Sequence, residues 1–244
     1  IYFYIEISRS NMSKSFSKAL LTWYDKNKSD LPWRNTNDPY KILISEFMLQ
    51  QTQVNTVIPY YNKWIQTFPD IHSVAESDDD NLFKHWEGLG YYRRVIYLKE
   101  TCKQIIDVFC GNIPEDVGDL LTLKGIGSYT AAAVSSIAYQ KPNPVIDGNV
   151  KRILSRIFLI LEFNSKIHKE MTEYLASIIS LKHPGDFNQA MMELGRLICK
   201  PKSPLCVECY IKKYCKSYKT DSVHLYPSPR NKKKLPHYKI GIGV

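Results

Sequence analysis

The stretch from Leu123 to Arg152 sets the tightest limit on what this chain can fold into. Two apolar-periodic runs, 117–123 and 130–139, are separated by Gly125 and Gly127. The pattern is that of two short helices joined by a tight turn, because glycine enters left-handed backbone without penalty and has no Cβ to block an approaching group. The second helix starts with backbone N–H groups that have no partner within the helix. Such an end is an anion site, and phosphate is the usual anion. Asp147 then opens the next helix, so a phosphate grip and a carboxylate lie on neighbouring elements. The plain alternative is a helical hairpin with two turn glycines followed by an Asp N-cap.

The rest of the chain follows the same helical period. Residues 13–28 carry Phe16, Leu20, Leu21, Trp23 and Tyr24 at helical spacing, broken by Ser29 to Pro32. Asp38-Pro39 is a cap with proline at the first helical position, and the helix it opens runs to about Gln53. Further helices are expected over 54–68, from Asp78 to Gly88, and over 91–110, 148–161, 165–182 and 187–199, with Asn164 and Pro184-Gly185 as breaks. No alternating strand precedes the tail, and no solenoid period recurs. The chain reads as all-α. Residues 1–12 read as an N-terminal extension in which Ile1–Ile7, interrupted by Glu6, lacks the form of a secretion signal. Residues 219–244 read as a linker with Lys232, Lys233 and Lys234, ending in a strand over Tyr238–Val244 that would begin a further domain.

Charge and aromatic content narrow the partner. The formal net charge is +9, which favours a polyanion, nucleic acid before membrane. No apolar run approaches the roughly 20 residues of a membrane span. Aromatic and basic residues alternate at Trp33-Arg34 and at Tyr91-Tyr92-Arg93-Arg94, suited to stacking on bases and contact with phosphates. Glu46 interrupts an apolar helix face. It is either a solvated charge or a buried acid, and burial would raise its pKa towards the value a general acid needs near neutrality.

Cys199, Cys206, Cys209 and Cys215 are the strongest local signal. Four thiolates so close in sequence can close around one metal centre. A disulfide pair fits poorly with a basic chain that shows no secretion signal. Zinc is a rival, although only Cys206 and Cys209 have the spacing of a zinc knuckle. Lys200 and Lys202, with Lys212, Lys213, Lys216 and Lys219, make the loop a phosphate-contacting surface.

Taken together, several motifs resemble the adenine DNA glycosylases (the MutY family) of the helix-hairpin-helix superfamily. They are Leu31 to Arg34, Ser45 to Val54, Gly88 to Tyr92, Leu123 to Ala131, Val145 to Arg152, Phe187 to Gly195 and the four cysteines, in order over about residues 15–227. The resemblance implies a two-lobed helix-hairpin-helix DNA glycosylase fold. One lobe would hold residues 30–140 with the hairpin, the other residues 13–29 plus 141–218 with an iron–sulfur loop.

The resemblance also implies roles. Glu46 and Asp147 become the catalytic pair, with Tyr129 and Asn149 supporting Asp147. Trp33, Arg34, Leu49, Thr52, Val54 and Glu193 would contact the adenine, and Gln51, Leu89 and Tyr91 would form the wedge that fills the gap it leaves. Gly125, Gly127, Lys200 and Lys202 would hold the DNA backbone. Cys199, Cys206, Cys209 and Cys215 would hold one [4Fe–4S] cluster. Tyr129 stands where strand-cutting relatives such as endonuclease III place a lysine, which implies base excision without an efficient lyase step. The implied substrate is double-stranded DNA with adenine opposite 8-oxoguanine or guanine, handled by a monomer in the cytoplasm on the nucleoid, with no membrane contact. The tail would lead into a domain similar to the Nudix pyrophosphohydrolases. The alternatives are a thymine–guanine mismatch glycosylase of the same superfamily and a non-catalytic DNA-binding module with a four-cysteine metal site.

Overall fold

A computed structural model describes residues 12–228. The N-terminal extension and the Tyr238–Val244 strand expected from the sequence lie outside the described residues, apart from Met12. Within them every regular element is helical. No helix among them is long and apolar enough to cross a membrane.

Helix α1 (Met12–Asn27) is followed by a 3-10 turn at Pro32–Arg34. Six helices then build the first body: α2 (Pro39–Leu49), α3 (Val54–Thr67), α4 (Ile71–Glu76), α5 (Asp79–Trp86), α6 (Arg93–Phe109) and α7 (Val117–Thr122). Helix α8 (Ser128–Tyr139) completes it. Helices α9 (Gly148–Phe158), α10 (Ser165–Ile178) and α11 (Pro184–Leu197) follow, then the cysteine loop with the short α12 (Lys216–Lys219).

Side-chain carboxylates and an amide set many of the starts, as expected of N-caps. Asp38 accepts from the backbone N–H of Tyr40 at 2.9 Å with Pro39 at the first position. Asp78 accepts from Asn81 N–H at 2.7 Å, and Asn164 from Ile167 N–H at 2.9 Å.

Three local expectations are corrected. Helix α2 stops at Leu49 instead of Gln53, and Gln51 turns to φ +59°. The cause lies far away in sequence: the Arg94 guanidinium takes the carbonyls of Phe47, Met48 and Gln50 at 3.0, 2.7 and 2.7 Å. Helix α4 was not foreseen, although its signal is local. Asp70 and Ser73 form a reciprocal capping box, with Ser73 N–H donating to Asp70 at 2.8 Å. Pro184 is no break; it is the first residue of α11, where a missing N–H costs nothing.

Two hydrophobic cores result. The first gathers buried residues from Leu31 to Val145, including Trp64 and Trp86 edge to face at 5.4 Å. The second joins Phe16, Leu20, Trp23 and Tyr24 of α1 to buried residues from Ile146 to Ile211. Thus α1 packs on α11 across the chain, and α11 also packs on α8 and α9. Met192 of α11 touches both cores. The segment 29–34 and the segment 140–147 are the two strands of chain that pass between them.

Candidate active site at the junction of the two cores

A cavity of ≈ 180 Å³ opens where the two cores meet. That is below the roughly 300–1,000 Å³ of drug-sized sites and suits a single heterocyclic base. Its wall brings together Glu46, Tyr129, Asp147 and Asn149 with Trp33, Arg34, Leu49, Thr52, Val54 and Glu193. Glu46 and Asp147, 101 positions apart in the chain, thus share one hollow.

Glu46 sits in the last turns of α2 and is 4% exposed. The solvated-charge alternative is therefore ruled out by its placement on the face packed against α8. Its Oε2 is buried and receives no hydrogen bond. Burial is the main reason its carboxyl is pushed up to about 7. The charge of Asp147 adds to the rise, and the Tyr129 hydroxyl works against it. That hydroxyl is half-committed elsewhere, since it donates to Met192 Sδ at 3.4 Å. Tyr129 in turn has its own ionisation driven far up by burial, with Glu46 and Asp147 nearby, so it stays a neutral donor.

Asp147 keeps its N-cap role and is in the site as well; the two readings coincide. Its Oδ1 accepts the Val150 backbone N–H at 2.7 Å and its Oδ2 accepts from Asn149 Nδ2 at 2.8 Å. An anion at a helix start is favoured by the peptide dipoles. Asn149 is fixed in turn: its Oδ1 accepts from Arg152 Nη2 at 2.8 Å, and Arg152 also donates to Gly195 O at 2.8 Å and Cys199 O at 2.7 Å. A row of hydrogen bonds thus runs from Asp147 to the cysteine loop.

Gly195 permits this arrangement. A Cβ at that position would lie 2.5 Å from Asn149 Cβ. Gly195→Ala is expected to push Asn149 away and loosen the hold on Asp147. The expected readout is a loss of stability of about 1–3 kcal/mol together with lowered activity at unchanged substrate affinity, compared by denaturant melts and single-turnover assays.

Glu193 lines the hollow and is also fully engaged by its neighbours. Both oxygens are taken: Arg34 grips it with two bonds at 3.1 and 3.0 Å, Arg196 with two at 2.7 and 3.0 Å, and Ser29 N–H adds a fifth at 3.1 Å. Burial pushes the carboxyl up, but the bonds from Arg196 and Arg34 outweigh it and hold it at about 2. It braces the cavity wall as a fixed anion. Arg196 and Ser29 were not foreseen; the spacing of Glu193 and Arg196, one helical turn apart, was the available signal.

The expected wedge divides. Gln51 and Tyr91 are exposed and border a separate hollow of ≈ 410 Å³ beside Gly125. Leu89 is 5% exposed and packed in the first core, where the turn at Gly88–Gly90 points it inward. Gly125 has φ +76°, and a Cβ there would meet Tyr97 Cβ at 2.7 Å, so both backbone and space require glycine. Gly127 caps α8 and brings no side chain to its first-turn N–H groups. Lys200 and Lys202 are exposed on the cysteine loop.

All four cysteines of the loop are free thiols and half-buried, which removes the disulfide alternative. Their charges bear on one another: Cys209 is influenced by Cys199, Cys206 and Cys215, and burial pushes its thiol up to about 12. Cys199 Sγ also receives Arg156 Nη1 at 3.2 Å. Among the described residues no group of three or more ligands is spaced for a single ion. Four half-buried thiols on one short loop, with the Arg156 guanidinium beside Cys199, are a donor set that can serve a metal centre, an iron–sulfur cluster included.

The sequence profile described as HhH-GPD superfamily base excision DNA repair protein matches residues 44–179. The adenine DNA glycosylase of Buchnera aphidicola subsp. Baizongia pistaciae is 39% identical over 221 residues, covering 90% of this chain and 63% of that protein. The chain therefore spans less than two thirds of that relative. A solved thermostable thymine-DNA glycosylase superposes with a TM-score of 0.80 at 30% identity, over 85% of this chain and 97% of that one. An endonuclease III in non-covalent complex with DNA gives 0.71 at 22% identity, over 84% and 94%, a likeness of fold.

Proposed function

This chain belongs to the HhH-GPD superfamily of base excision DNA repair proteins, and on that premise we propose that it excises adenine from mispaired duplex DNA, acting as a monomer on the chromosome. One observation carries the reading: Glu46, which has a buried carboxyl oxygen without a hydrogen bond, lines the same hollow as the braced carboxylate of Asp147. Glycosidic bond cleavage needs one neutral acid and one anion, with environments that differ.

The target nucleotide first leaves the stack, since the bond to its base is out of reach inside a duplex. In the hollow, the Glu46 carboxyl gives its proton to a ring nitrogen of adenine. The bond from C1′ to the base breaks and its electron pair leaves with the base. The sugar is left as a cation, which the Asp147 carboxylate stabilises. Glu46, now ionised, accepts a proton from the water that attacks C1′, and an abasic sugar results. Asn149 and the Val150 N–H keep Asp147 aimed through these steps. Tyr129 supplies no amine, so no Schiff base forms and the strand stays intact until alkali is added.

Cys199, Cys206, Cys209 and Cys215 would hold one [4Fe–4S] cluster, which when bound ties the loop into a fixed shape and can exchange single electrons. Lys200 and Lys202 on that loop, with Gly125 and Gly127 of the hairpin, would meet phosphates.

A duplex with adenine opposite 8-oxoguanine, run beside one with guanine opposite adenine and one with thymine opposite guanine, tests the reading. Alkali-dependent cleavage at adenine is the expected result. Cleavage at thymine would favour the activity named for the structural neighbour instead. No cleavage anywhere would leave a DNA-binding module.

A further inference from the structure

Arg94, the second residue of α6, is 6% exposed and carries its charge without an acid. Among the described residues no carboxylate is ion-paired with it. Its guanidinium meets six acceptors instead. Nη1 donates to the carbonyls of Phe47, Met48 and Gln50; Nη2 donates to Thr52 Oγ1 at 3.0 Å, Leu89 O at 3.1 Å and Gly90 O at 3.0 Å. The rings of Trp86 and Tyr91 stand 5.3 and 5.6 Å from it. Its one remaining N–H, on Nε, is unpartnered. A cation is stable in such a place because the C-terminus of α2 presents the negative end of its dipole and because charged donors make the stronger hydrogen bonds.

The six acceptors belong to two segments, 47–52 and 89–90. A non-glycine residue in left-handed backbone goes with each: Gln51 at φ +59° lies within the first, and Tyr91 at φ +49° directly follows the second. Such residues cost free energy and persist only where surrounding contacts over-determine them. Both residues are exposed and border the hollow beside Gly125. One guanidinium therefore holds both turns at once, and no other side chain contacts carbonyls of both segments among the described hydrogen bonds.

We propose that Arg94 is a positioning residue: it presets Gln51 and Tyr91 as one rigid wedge, so that nucleotide extrusion needs no reordering of either turn. The inference rests on the base-excision reading above and deepens it by locating the device that readies the wedge. Lysine at this position keeps the charge but has three donors for six acceptors. The turns would then share their time between wedge-ready and relaxed forms, and the rate of any step needing the ready form would fall in proportion.

The test is Arg94→Lys in the full chain, assayed under single turnover on two substrates. One has adenine paired opposite 8-oxoguanine; the other has the same adenine unpaired, with the opposite nucleotide deleted. Loss of at least about tenfold on the paired substrate, with the unpaired one excised at nearly the wild-type rate, is expected. Equal losses on both, or no loss on either, would overturn the inference, since a merely structural role predicts no difference between them. Wild-type chain that excises neither would end the base-excision reading and this inference with it. Should the variant not fold, hydrogen exchange of the wild-type protein decides: the amides of 50–52 and 89–92 are expected to be protected before DNA is added, and free exchange there until DNA binds would overturn the proposal.

Discussion

Glu46→Gln lowers single-turnover excision by about 10²–10⁴-fold, the range for a positioned general acid, and leaves the duplex bound as tightly as before. Glutamine keeps the shape of the side chain and removes the proton that the leaving base needs. The same substitution changes the pH dependence of stability, and the sign follows from where the proton sits. The native carboxyl holds its proton up to about 7, against an ordinary value of 4.5. Between those two values the native state binds more protons than the unfolded chain, so stability falls as pH rises through the window and stays lower above it. The gap corresponds to about 3 kcal/mol at full effect. Glutamine does not ionise. The variant should therefore be more stable than wild type at pH 8 and no more stable at pH 4. Denaturant melts at the two pH values check this; equal differences at both would mean that Glu46 is not held neutral by its surroundings.

The rate profile gives a second view of the same proton. Excision should decline as pH rises past about 7, as the Glu46 carboxyl ionises. Tyr129 moves that limb. Its hydroxyl favours the ionised form, so Tyr129→Phe should shift the descending limb to higher pH. A limb that stays in place would separate Tyr129 from Glu46.

Much of this site was legible in the chain because several of its parts are local. The Gly125–Gly127 turn, the Asp38 and Asp147 caps and the four cysteines are readable within a few residues. What was not legible is set by contacts between distant segments. The burial of Glu46 depends on α8 packing over α2, which no window around residue 46 contains. The early end of α2 and the left-handed Gln51 depend on Arg94, more than forty residues later. Leu89 looks like its exposed neighbour Tyr91 in sequence, and only the glycines on either side decide which of the two points inward. The unforeseen helix α4 is different: its Asp70–Ser73 box was in plain view, in a stretch short enough to pass for a loop.

The same logic makes Glu193 the residue whose loss the fold should feel most. Its carboxylate joins Arg34 and Ser29, from the segment between α1 and α2, to Arg196 on its own helix. Its side chain is 2% exposed and that of Arg34 10%. Removing a buried partner leaves charge uncompensated, which costs about 3–5 kcal/mol. Glu193→Ala would leave the Arg34 and Arg196 guanidinium groups facing each other with no anion between them. A loss of that size is expected in denaturant melts near neutral pH. It should shrink in acid: a carboxyl held at about 2 in the native state stabilises fully above the ordinary 4.5 and loses that contribution as pH falls from there towards 2. Because the segment 29–34 passes between the two cores, its amides should exchange faster in the variant than those of α3 or α6. Exchange that quickens evenly across both cores would instead mean that Glu193 stabilises the chain as a whole and does not fasten this crossing.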